Sequence, residues 1–181
     1  MRPVLIIVTG RPGAGKSTLA HRLSRQWHLP LISRDAIKEG YLRTAGKGHA
    51  LLPESNRAAS EAFFAMAALA VERGVSCVAE AAFQHRVWAE RLPALAERAH
   101  VYLLICRVEA DLALERFRAR GAGDPSRAWF HGDEAQGASL IAAYEEPHLP
   151  LPTYAVDTSC GYTPPLEWLE ERILGKAPPQ P

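Results

Sequence analysis

The sequence has no cysteine pairing, no surplus of either charge and no long apolar run, and each absence removes a class of protein. Cys77, Cys106 and Cys160 are scattered, odd in number and without C-x-x-C spacing. They read as small buried hydrophobes of a reduced compartment, not as disulfides or zinc ligands. The seven histidines form no H-x-x-x-H or H-E-x-x-H pair, which argues against a protein-ligated transition metal. Twenty-one basic residues against twenty acidic ones leave +1, a balance that argues against obligate duplex binding. The apolar run Val4–Val8 is too short for a membrane span or a signal segment. A cytoplasmic protein without a membrane partner is therefore expected.

What is present suits one compact α/β domain. The 181 residues are 48% apolar, enough for a sizeable core without staples. Residues 1–175 are read as a single domain and 176–181 as a frayed, proline-rich tail, in a monomer or small homo-oligomer. Val4–Thr9 is a continuous, mostly β-branched run, as in a strand buried on both faces of a parallel sheet. From Lys16 the pattern becomes helical, with Leu19, Ala20, Leu23 and Trp27 on one face. Leu29–Ser33, Val75–Ala79, Val101–Cys106 and Tyr154–Asp157 are further short strands. Helices are expected over Arg34–Leu42, Glu54–Arg73, His85–Arg98 and Glu109–Arg120, with a break at Pro93. The stripe of the longest is Ala59, Phe63, Met66 and Ala70. Arg43–Pro53 reads as a loop, and Gly121–Gly132 as a polar, arginine-bearing lid. Asp133-x-x-Gln136 resembles a capping box opening a helix before Pro147. Thr163 and Pro164 read as the N-cap and first position of a last helix. Strands alternating with helices imply a doubly wound sheet, whose ligands bind beyond the carboxyl ends of the strands.

One motif is specific. Gly10-Arg11-Pro12-Gly13-Ala14-Gly15-Lys16-Ser17 fits G-x-x-x-x-G-K-[ST] at every defined position, between a buried strand and an amphipathic helix. Glycines let consecutive N–H groups turn toward phosphate oxygens. The helix beginning at Lys16 adds its dipole and free N–H groups, and Thr18 lies in its first turn. Lys16 would reach the β- and γ-phosphates and Ser17 would ligate Mg²⁺, with ATP as the triphosphate. Asp35, just after the second strand, either accepts a proton from an attacking hydroxyl or simply favours a helix N-terminus. Arg34 and Lys38 flank it and suit an anionic part of the acceptor.

The segments GRPGAGKST and SRDAIKE together resemble the small P-loop kinases allied to polynucleotide 5′-kinase, chloramphenicol phosphotransferase and zeta-toxin-type kinases. The resemblance implies a P-loop NTPase fold with a five-stranded parallel sheet of order 2-3-1-4-5, helices on both faces and a lid. It makes Asp35 the general base. It gives Arg116, Arg120 and the lid's Arg127 the task of stabilising transferred charge, although a solvated basic face explains them too. It seats adenine near Asp157 and Thr158, where an ordinary Asx-type turn is the alternative. Glu80, near the usual position of an acidic metal partner, either reaches Mg²⁺ through water, binds substrate, or ends its strand in solvent. Phe83 and Gln84 are placed beside the acceptor. Trp129 and Phe130 either stack on a ring or pack the lid down.

These expectations favour an ATP- and Mg²⁺-dependent kinase whose acceptor is a hydroxyl of a small molecule or an oligonucleotide 5′ end. An ATP-hydrolysing switch, with Glu80 positioning water, is the rival from another class. The chain is short for an oligomeric ATPase with its own helical lid domain, and no N-K-x-D specifies guanine. A nucleic-acid-binding module would need a basic stripe, visible only around Arg107–Arg127.

Overall fold

The computed structural model describes residues 2–46, 52–123 and 134–175. Five parallel strands form one sheet of order β2-β3-β1-β4-β5, as the resemblance implies. The strands are β1 (Val4–Gly10), β2 (Leu31–Ser33), β3 (Cys77–Glu80), β4 (His100–Arg107) and β5 (Thr153–Asp157). The helices are α1 (Lys16–Gln26), α2 (Arg34–Ala45), α3 (Pro53–Glu72), α4 (His85–Ala96), α5 (Ala110–Gly123), α6 (Glu134–Ala142) and α7 (Leu166–Ile173).

β1 lies at the centre, and its side chains alternate between two cores. Leu5 and Ile7 pack with Phe63, Trp88 and Leu92 from α3 and α4. Ile6 and Val8 pack with Leu19 and Leu23 from α1 and Leu169 from α7. Both faces of the strand are thus covered, which is why its sequence is a continuous apolar run rather than an alternating one. No helix of the described residues is long and apolar enough to cross a membrane.

Several local expectations are corrected. α4 runs through Pro93 unbroken. Trp88, Leu92 and Leu95 are buried on both sides of the proline, so packing against the sheet outweighs the one backbone hydrogen bond that Pro93 cannot donate. The buried stripe of α3 is Ala59, Phe63, Phe64, Ala67 and Val71, while Met66 is exposed; the helix is turned from the orientation its periodicity suggests. Thr163 does not cap α7. It pairs antiparallel with Asp157, and Pro165 takes the N-cap position. Gly121–Gly123, expected in the lid, form the last turn of α5. The remainder of that expected lid, with Arg127, Trp129 and Phe130, lies outside the described residues, as do Asp133 and residues 47–51 of the expected loop, whose start, Arg43–Ala45, is the last turn of α2.

Candidate functional site

The carboxyl ends of β1, β2 and β3 bring the proposed chemistry together at one edge of the sheet. Between β1 and α1 the chain makes a tight loop in which Gly10, Gly13 and Gly15 all have positive φ, of 143°, 83° and 74°. Ala14 N donates to the carbonyl of Arg11 at 3.1 Å, closing the turn. Gly15 is the N-cap of α1, and no acidic residue stands in that helix's first turn. The positive end of the helix therefore faces the loop without an internal counter-charge, which suits an anion. Lys16 is buried, and its Nζ donates to the carbonyl of Arg11 at 3.1 Å. The ammonium arches back over the loop it follows. Arg11, Pro12 and Ser17 are partly exposed along the loop, and Thr18 is exposed.

Glu80 differs most from the alternatives left open by the sequence. It is the last residue of β3, in register with Val8 on one side and Ser33 on the other. Only 2% of it is exposed, which rules out a strand-end carboxylate in solvent. Its two oxygens are separately held: Ser17 Oγ donates to Oε1 at 3.3 Å and Ser33 Oγ donates to Oε2 at 3.0 Å. Burial pushes the carboxyl pKa up and Asp35 adds to that, while Lys16 and the two serine hydroxyls pull it down. A carboxylate beside a hydroxyl, both hard oxygen donors, fits Mg²⁺, which usually keeps several waters and binds few protein groups. No cluster of three or more His, Cys, Asp or Glu side chains exists among the described residues, so an all-protein cage is not built there.

Asp35 stands in the first turn of α2, whose N-cap is Ser33. Its side chain is 44% exposed and lies 3.4 Å from Arg34 Nη1. Its charge reaches both Glu80 and Lys38. Arg34 also donates through Nη2 to Asn56 Oδ1 of α3 at 2.8 Å, and its buried Nε has no acceptor. Lys38 is 5% exposed. Burial lowers its pKa and repulsion from Arg34 lowers it further, against an opposing pull from Asp35. Asp35, Arg34 and Lys38 thus form one neighbourhood beside Glu80. Phe83 lies just past β3 and turns its ring into an aromatic cluster, stacked on Phe64 at 5.3 Å and edge-on to Phe63 and Trp88. The amide of Gln84 is engaged as well, accepting from Glu145 N at 2.6 Å and donating to the carbonyl of Ala143 at 3.2 Å.

On the other side of the loop, Thr158 and Arg116 act as braces. Thr158 Oγ1 donates to the carbonyl of Ala14 at 2.9 Å and is also 3.3 Å from that of Arg107. Arg116 Nη2 donates to the carbonyls of Thr158 and Ser159, at 3.0 and 2.8 Å. That guanidinium holds the turn after β5, and its Nη1 stands beside the phosphate loop, 4.0 Å from where a Cβ on Gly15 would lie. Asp157 Oδ1 accepts from Ser159 N at 2.7 Å, and this bond holds its carboxyl below the usual range. That is the ordinary Asx-type turn, and nothing in it points the Asp157 carboxylate toward a base. Arg120 donates through Nε to the carbonyl of Arg116 at 3.3 Å. It also lines an open hollow of about 840 Å³ with Ser17, Thr18, His21, Arg22, Arg25 and Gln26.

Two features of the site were not foreseen from the sequence: the role of Ser33, which the sequence marks only as the first of the residues at the end of the second strand, and the outer face of α1. A signal for the latter was present. Thr18, Arg22 and Arg25 recur at spacings of four and three, so they share a helix face beginning at the phosphate loop.

Comparison with known proteins agrees with the fold. The family described as AAA domain matches residues 5–147, well over half of the chain. A candidate kinase from Chloroflexus aurantiacus j-10-fl is 28% identical, with a TM-score of 0.77 over 88% of this chain and 90% of that one. A sugar kinase from Janibacter sp. HTCC2649 is 20% identical, with a TM-score of 0.61 over 96% of this chain and 93% of that one. A gluconokinase from Sinorhizobium meliloti 1021 is 18% identical, with a TM-score of 0.59 over 96% and 91%. At such identities the last two share the fold alone. Among proteins with curated functions none matches. A strand-loop-helix phosphate cradle on a 2-3-1-4-5 sheet, together with a match over residues 5–147, identifies this chain as a member of the AAA domain family, with the fold of the small P-loop kinases.

Proposed function

We propose that the protein is an ATP- and Mg²⁺-dependent phosphotransferase that moves the γ-phosphate to a hydroxyl group. The observation that carries this reading is the convergence of three groups at adjacent strand ends: the phosphate loop after β1, buried Glu80 ending β3, and half-exposed Asp35 following β2. A loop alone would hold a triphosphate. An accessible carboxylate beside it supplies a base for an acceptor.

In this reading Lys16 and the N-terminus of α1 bind the β- and γ-phosphates. Ser17 and Glu80 would hold Mg²⁺, which when bound neutralises charge on those phosphates. Asp35 accepts the proton of the acceptor hydroxyl as its oxygen attacks phosphorus. Arg34 and Lys38 orient the acceptor, and Phe83 backs the site with an apolar wall. The nucleoside half of ATP occupies the hollow between α1 and Arg120. Thr158 braces the loop beneath, and Arg116 fixes Thr158 in turn. The acceptor is a small molecule or an oligonucleotide 5′ end. The need for ATP and the three free thiols suit a cytoplasmic protein, with residues 1–175 working as one unit.

The rival, an ATP-hydrolysing switch, needs a group to position water. Glu80, with a lone pair left on each oxygen beside its serine donor, is the group such a switch would use. Transfer from γ-³²P-labelled ATP across a panel of hydroxyl acceptors tests the proposal. Asp35→Asn is expected to abolish transfer while ATP binding persists. Undiminished transfer by that variant would remove Asp35 as the base, and hydrolysis without any acceptor would favour the switch.

A further inference from the structure

The hydroxyl of Ser33 belongs to two structures at once. As the last residue of β2, with φ −109° and ψ 122°, it caps α2 by accepting from Ala36 N at 3.4 Å. The same oxygen donates to Glu80 Oε2 at 3.0 Å. A serine hydroxyl has one proton and two lone pairs, so both interactions are satisfied together: the proton faces Glu80 and a lone pair faces the helix. The other oxygen of Glu80 accepts from Ser17 at 3.3 Å. An unbroken path of hydrogen bonds therefore runs from the phosphate loop, through Glu80 and Ser33, to the first turn of α2, where Asp35 stands.

We propose that Ser33 is a positioning residue that fixes the orientation of the Glu80 carboxylate and ties it mechanically to the helix bearing Asp35. This rests on the phosphotransferase reading for what Asp35 does, but the part concerning Glu80 stands on geometry alone. Glu80 is closed off from solvent, so its orientation is set by its donors and not by water. Ser17 fixes one oxygen from the loop that would hold the phosphates. Ser33 fixes the other from the acceptor side. Any turn of the carboxylate toward a cation at Ser17 pulls on Ser33, and through its cap on the start of α2. Partners that orient a ligand in this way are typically worth ten- to a hundredfold in metal affinity.

Three substitutions separate this role from simple helix capping. Ser33→Ala removes both the cap and the donor to Glu80. Ser33→Gly removes the donor but remains a tolerable cap, since glycine at an N-cap costs little relative to serine. Ser33→Thr keeps both. The direct readout is Mn²⁺ titration of the ADP-bound protein followed by electron paramagnetic resonance, which needs no acceptor. We expect Ala and Gly each to weaken Mn²⁺ binding about tenfold or more, and Thr to restore it. In transfer assays Ala and Gly should lower kcat by a similar factor with KM for ATP within about twofold. Wild-type Mn²⁺ affinity in the glycine variant would overturn the proposal, because capping alone would then explain the serine. If the wild type transfers phosphate to nothing, the phosphotransferase reading fails while the Mn²⁺ titration still decides the case of Ser33. If the alanine variant does not fold, the contrast between Gly and Thr decides it in the same way.

Discussion

The backbone of Gly13 lies against that of Ala113 so closely that a Cβ on the glycine would sit 2.0 Å from the alanine's carbonyl oxygen. Gly13 also has φ 83°, a region that side-chain-bearing residues rarely adopt. Two independent demands, conformation and space, therefore meet at the centre of the phosphate loop. Gly13→Ala should destabilise the protein by about 3 kcal/mol and lower its Tm by roughly 6–12 °C for a chain of this size. Thermal melting monitored by circular dichroism measures this. A Tm within about 2 °C of wild type would mean that α5 does not press on the loop in solution.

Glu80→Gln should separate stability from function. A carboxyl whose folded-state pKa is raised favours the fold while protonated. Its contribution is complete below the ordinary value of 4.5 and is lost as pH climbs through the raised value. At neutral pH the nucleotide-free protein therefore keeps this buried carboxyl at a cost. Gln keeps the shape without the charge. Its Tm at pH 7 should equal or exceed that of wild type, the difference should shrink toward pH 4.5, and Mg²⁺-dependent transfer should be lost. A variant clearly less stable than wild type at pH 7 would contradict the sign.

Two of the three arginines of α5, Arg116 and Arg120, should fail differently. Arg116 holds the carbonyls of Thr158 and Ser159, and Thr158 in turn holds Ala14. Losing such charge-assisted bonds is worth roughly tenfold or more. Arg116→Ala should therefore raise KM for ATP by about that factor, together with a lower Tm. Arg120→Ala, on the hollow's edge, should lower kcat/KM with little change in Tm. Steady-state kinetics and melting of the two variants, side by side, check the distinction.

Thiol chemistry offers a check on the core. Burial pushes the Cys77 thiol up to about 11 and the Cys106 thiol up to about 12, whereas Cys160 is exposed. At pH 8 Ellman's reagent should titrate one thiol quickly and the other two only after denaturation. A second fast thiol in the native protein would contradict the burial of β3 or β4.

The phosphate loop was legible because everything it requires is local: a buried strand, glycines at fixed offsets and a helix start, all within Val4–Gln26. The sheet order followed from the resemblance, whereas the strand–helix alternation gave only the doubly wound class. Glu80 was not legible in the same way. Its meaning depends on Ser17 and Ser33, which lie 63 and 47 residues away in sequence, and parallel pairing brings them together without leaving a local mark. Ser33 looked like the end of a short strand because a hydroxyl's two partners cannot be read from its neighbours. Pro93 and the stripe of α3 failed for another reason: local preference and periodicity were outweighed by which face the sheet needed to cover.

The bond from Thr158 to Ala14 spans 144 residues, and β1 gains its neighbours only from strands beginning at Cys77 and His100. Contacts so distant in sequence are slow to close. A nascent chain that has emerged past α1 therefore carries the whole phosphate motif without yet having a place to put a phosphate. The cradle is complete only once β5 has docked at the edge of the sheet, and nucleotide present during refolding should stabilise only that arrangement.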